Sequence, residues 1–115
     1  MAVLENKITQ QKLIENLEVA RTFWTRGKGL LGRQSLPENQ ALWIHRCNSI
    51  HTYFMKFAID CVFVDRNLKV KAIYRDVRPG RLILPVWGAS SVIEMASGTT
   101  SKLQISVGDQ LNVGT

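Results

Sequence analysis

The chain has 115 residues, 45% of them hydrophobic and 21% charged, with a net charge of +6. That length holds one core and leaves no room for a second domain; the composition excludes a disordered or fibrous chain, and a core of this size folds without staples. Two cysteines, Cys47 and Cys61, lack the spacing of a secreted disulfide scaffold and are expected as reduced, buried thiols.

The opening MAVLENKITQQ has no apolar signal core, and no run is long enough to span a membrane. The chain therefore reads as cytoplasmic, although an exported chain relieved of its signal would read the same. Ala2–Asn6 and Lys12–Asn16 are expected to form a first hairpin. From Glu18 the apolar period lengthens: Val19, Phe23 and Leu30 fall near one stripe, with Ala20, Trp24 and Leu31 beside it. This predicts the main helix over about 18–28, capped by Asn16 and ended by Gly27 or Gly29. GKGLLGR then reads as a tight turn with Leu30 and Leu31 inward; without a following Gly-Lys-Ser/Thr it is not a phosphate loop.

Past a loop carrying Pro37, Ala41–His45 is a strand with Leu42 and Ile44 on one face and Ala41, Trp43 and His45 on the other. Cys47 continues the His45 face if the strand does. Asn48, Ser49 and His51 make a polar bend. Ala58–Val64 is apolar on both faces apart from Asp60, which marks a central strand. Leu68–Arg75 pairs with it as a hairpin, with Val70, Ala72 and Tyr74 inward and Lys69, Lys71 and Arg75 outward. Pro79-Gly80 turns the chain, Leu82–Leu84 is a short piece stopped by Pro85, and Ser91–Ala96 is a strand placing Glu94 among apolar residues. A helical turn near 99–104 precedes a closing strand, Gln110–Val113. The fold class is α+β, mainly β: one domain over 1–115, a compact antiparallel barrel-like sheet with one main helix. Trp24, Trp43 and Trp87 are expected as core anchors.

GLLGR (Gly29–Arg33), IHTYFMKFAIDCVFVD (Ile50–Asp65), VIEMASG (Val92–Gly98) and VGDQL (Val107–Leu111) stand in this order along the chain. As a set they resemble the domain-of-unknown-function family 192 of small bacterial and archaeal proteins, from about Arg21 to Val113. The resemblance implies a compact, mainly β domain. Many members of that family carry export signals. It carries over no established activity, so no reaction and no cofactor is assigned.

Candidate functional residues gather between His45 and Asp65. His45, Cys47, His51 and Met55 are soft or borderline donors that a bend could bring around copper or zinc. Cys47 with His51 or His45 could alternatively form a thiol-dependent catalytic pair, with Asp60 as the orienting acid. Asp60 and Glu94, as acids among apolar strand residues, need partners if buried. His51, Thr52, Lys56 and Arg33 are available, forming either a structural network that ties the GLLGR turn to the sheet or a small polar pocket. The ligand-site set is thus Arg33, His51, Thr52, Met55, Lys56, Asp60 and Glu94, for a small ligand or a protein partner. A basic face over 66–81 (Arg66, Lys69, Lys71, Arg75, Arg78, Arg81) leaves nucleic acid as a further possible partner, without aromatic platforms interleaved.

Overall fold

The computed structural model describes residues 2–114. In chain order these form β1 (Ala2–Asn6), β2 (Lys12–Ala20), α1 (Phe23–Lys28), β3 (Gln40–His45), β4 (Ile50–His51), β5 (Ile59–Val64), β6 (Val70–Val77), β7 (Leu82–Ile83), β8 (Ser91–Ala96), α2 (Thr99–Lys102) and β9 (Leu111–Gly114). One sheet takes the order β6-β5-β8-β3-β2-β1-β9, while β4 and β7 pair as a separate ribbon. The large sheet curls until its edges meet. Lys69 bridges Gln110, the Val70 amide donates to the Asp109 carbonyl (2.9 Å), and the Leu111 amide donates to the Leu68 carbonyl (3.0 Å). The expected mainly β, barrel-like architecture is the one that forms. Within it, β2 and β3 run parallel and the other described pairings are antiparallel.

The central strands are apolar on both faces because each face has its own core. Ile59, Cys61 and Phe63 of β5 join Leu42, Ile44 and Val92 in one cluster, which Leu30, Leu36, Ile50, Met55 and Ile83 cover from the connecting segments. Val62 and Val64 point the other way, into the curl, with Ile14, Leu17, Ile93, Met95, Ile105 and Leu111. Alternation along β5 and β8 thus assigns each residue to a core, as period-2 geometry requires.

Four local expectations need correction. The helix begins at Phe23, with Thr22 as its cap in a box with Thr25 (both reciprocal bonds 3.1 Å), so Asn16 caps nothing. Glu18–Ala20 is instead strand, because β2 runs on to pair with Trp43 and Ile44 of β3. Trp24 is 80% and Trp87 95% exposed, so neither anchors the core; Trp43 is half-buried, its indole N–H donating to Ser91 Oγ (2.9 Å). Lastly, β6 is out of simple phase. Its pairing with β5 shifts between Phe63 and Val64, so Val70 enters the inner core while Ala72 packs on the other face.

Candidate functional site

Glu94 sits at the middle of β8, opposite Leu42 of β3 and Cys61 of β5, on the same side of the sheet as Val92. Above it passes the end of α1. Gly29 has φ +50°, and a Cβ there would lie 3.9 Å from Glu94 Oε1 and 3.8 Å from Ile44 Cδ1. A Cβ would thus make only ordinary contacts there, and it is the positive φ, which side chains disfavour, that suits the position to glycine. Glu94 is 4% exposed, and no described residue forms a hydrogen bond or ion pair with it. Burial pushes its pKa up to about 7, because a charged carboxylate without a partner is costly in apolar surroundings.

Glu94 faces a cavity of about 170 Å³, lined also by Arg26, Lys28, Gly29, Leu30, Leu31, Ile44, Cys47, Ile50, His51 and Met55. Leu30, Ile44, Ile50 and Met55 are buried walls, whereas Lys28 and His51 are exposed and stand at the rim. The Arg26 guanidinium is fixed there by donating to the carbonyls of His45 (2.8 Å) and Arg46 (2.9 Å). Cys47 is half-buried; its thiol donates to the Ser49 carbonyl (3.0 Å), and burial raises its pKa above the ordinary thiol value. A wider, shallower groove of about 530 Å³ runs between Tyr74–Arg78 and Arg81–Leu84, but no unpartnered buried polar group faces it.

Among the sequence-expected ligand residues, His51, Met55 and Glu94 meet at this cavity, joined by Cys47 from the metal set. The others do different work. Arg33 makes a two-pronged pair with Glu18 (3.2 and 2.7 Å) on the flank of β2. Thr52 is fully buried, its hydroxyl donating to the Arg78 carbonyl (2.6 Å) and accepting from the Arg81 amide (2.9 Å), which staples the ribbon's two sides. Lys56 is exposed on the turn before β5.

Asp60 faces the inner core, away from the cavity. It accepts from the Asp76 amide (2.9 Å), the Thr100 amide (2.9 Å) and the Thr100 hydroxyl (2.6 Å). The expected partners Arg33, His51, Thr52 and Lys56 thus do not serve it. The network it anchors joins α2 and the irregular end of β6, where Asp76 has φ +50°, and does not involve the GLLGR turn. This also removes Asp60 from any arrangement with Cys47 and His51.

The proposed metal donors divide between the two sides of the sheet. β3 ends at His45, and Arg46, with φ +51°, turns the chain so that Cys47 joins the outer core while the His45 ring stays tilted against Trp43 (ring centroids 4.1 Å, planes 43° apart). Burial, then Arg21, Arg26 and Arg46, lowers the His45 pKa, and its buried Nε2 has no described partner. Among the described residues no three His, Cys, Asp or Glu side chains lie close enough to hold a metal ion. Both cysteines are free thiols. Arg66, Lys69, Lys71, Arg75, Arg78 and Arg81 are exposed, as the sequence suggested.

Sequence reading missed Arg26, Lys28, Leu31 and Ile44 as cavity residues. The available signal was GKGLLG itself: the turn it forms, with Gly29 at φ +50°, is also what lays residues 26–31 over an acid on a buried strand.

A curled β sheet with a buried acid on its outer face, beneath a small cavity, defines a compact β domain. The profile of the family described as "Uncharacterized ACR, COG1430" (DUF192) matches residues 4–113, and the chain belongs to that family. A UPF0127 protein of Thermococcus sibiricus is 32% identical over 96% of this chain and 73% of its own length. A second, from Pyrococcus abyssi, is 31% identical over 96% of this chain and 97% of its own. Two solved structures share the fold. A protein of unknown function from Novosphingobium aromaticivorans has a TM-score of 0.82 at 22% identity, over 96% of this chain and 82% of its own. A Sinorhizobium meliloti protein described as a candidate transcription regulator has a TM-score of 0.80 at 20% identity, over 97% and 91%. No helix among the described residues is long and apolar enough to cross a membrane.

Proposed function

We propose that this domain is a small-molecule binding module whose site is the cavity over Glu94. One observation carries the reading: a carboxyl group 4% exposed, without a partner among the described residues, on the floor of a cavity with aliphatic walls. Native interiors satisfy nearly all buried polar groups, and one left open towards a cavity is supported best by an occupant that satisfies it. A thiol-dependent enzyme has less support. Burial keeps the Cys47 thiol protonated, and a neutral thiol is a weak nucleophile.

The test is a fragment screen followed by amide-shift mapping on the wild-type protein and on Leu31→Trp, which fills one cavity wall. Bound fragments should shift the amides of residues 27–31 and 93–95 and should lose binding to Leu31→Trp. Fragments that bind only elsewhere, or equally well to the variant, would overturn the site.

A further inference from the structure

The cavity lining has three chemistries arranged in depth. At the floor is one acid, Glu94, its nearest polar neighbours the neutral thiols of Cys47 in the lining and of Cys61 on the paired strand. The walls are aliphatic: Leu30, Leu31, Ile44, Ile50 and Met55. At the rim stand the cations Arg26 and Lys28 from α1, with His51 from β4. An acid in apolar surroundings selects a group that donates to it, and a cation is the strongest such group. A monocation alone would meet two like charges at the rim, and an anion alone would meet the floor acid; a zwitterion meets neither penalty. Size narrows the choice further. A cavity of about 150 Å³ admits roughly a six-carbon ring, so about 170 Å³ suits a body of that order.

We infer that the occupant is an α-amino acid with a short branched aliphatic side chain, its ammonium on Glu94, its side chain on the apolar walls and its carboxylate towards Arg26 and Lys28. This rests on the binding-site reading above and specifies its ligand class. Binding a cation holds Glu94 ionised, so the complex takes up the amino acid and releases a proton wherever the free protein holds Glu94 protonated. Affinity then rises with pH by about tenfold between pH 6 and pH 8, since the free carboxyl titrates near the middle of that interval.

The experiment is calorimetric titration of the wild-type chain with L-valine, isobutylamine (valine without its carboxylate) and isovalerate (valine without its amine) at pH 6 and pH 8. Valine should bind at least tenfold more tightly than either half and more tightly at pH 8. Glu94→Gln should weaken valine at least tenfold at pH 8 and abolish the pH dependence. Isovalerate binding as tightly as valine, or binding that strengthens towards pH 6, would overturn the amino-acid assignment. So would silence towards all three ligands while cavity fragments still bind, an outcome that spares the small-molecule reading. If no fragment enters the cavity either, both fall.

Discussion

Asp60 and Glu94 occupy neighbouring strands of one sheet, pairing with Met95 and Cys61 respectively, and are 0% and 4% exposed. They point to opposite faces and meet opposite fates. Asp60 receives three donors and locks α2 and the irregular end of β6 onto the central strand. Glu94 receives none from the described residues and faces a cavity. Burial alone therefore does not distinguish an acid tied into the fold from one left without donors. The donors around it do.

The strongest way to test that contrast is Asp60→Ala. It should cost about 4 kcal/mol, because it leaves the buried Thr100 amide and hydroxyl and the part-buried Asp76 amide without their acceptor; urea denaturation checks it through the midpoint at unchanged slope. Glu94→Gln should act in the reverse direction. A carboxyl whose folded pKa is raised from 4.5 to about 7 holds its proton more tightly when folded. Its contribution is thus fully present below pH 4.5 and is lost as pH rises through about 7, a loss of at most ~3 kcal/mol. Glu94→Gln should match the wild type near pH 4, exceed it at pH 8 and show a flatter stability profile between them. If both substitutions destabilise alike at pH 8, the two acids are not different in kind.

Smaller effects refine the picture. Thr100→Val keeps the amide bond to Asp60 and removes only the hydroxyl, so it should cost about 1–2 kcal/mol in the same denaturation assay. Glu18→Ala supplies the solvent-side reference. The Glu18–Arg33 pair is roughly a third exposed at both ends, with side-chain exposures of 40% and 33%. Breaking it should cost no more than about 0.5 kcal/mol, and less in 1 M salt.

Both acids were visible in the sequence as charges among apolar strand residues, in AIDCV and VIEMA. What separated them was not visible, because the Asp60 donors come from residues 16 and 40 positions away. The same limit explains the misplaced helix start. Glu18–Ala20 is strand through pairing with β3 across a long crossover, and a period read from nearby residues cannot register that. The continuous apolar run of β5 carried its own answer: Ala58–Val64 was expected and Ile59–Val64 formed. The grouping of His45 with Cys47 failed at one dihedral. Positive φ at Arg46, a residue with no preference for it, ends the strand and moves Cys47 off the His45 face. Trp24 and Trp87 show that side-chain size does not decide burial when the residue falls on the outer side of a short helix or on a turn.

The seam where Lys69 meets Gln110 has a consequence for motion. Across it β6 and β9 share a bridge and a few loop bonds, whereas β8 is flanked on both sides by fully paired strands. Opening fluctuations concentrate where the fewest backbone bonds must break together. The curl should therefore breathe at its seam, with amides there exchanging with solvent well before those of β8, and the floor under Glu94 stays rigid while the far edge of the same sheet parts and recloses.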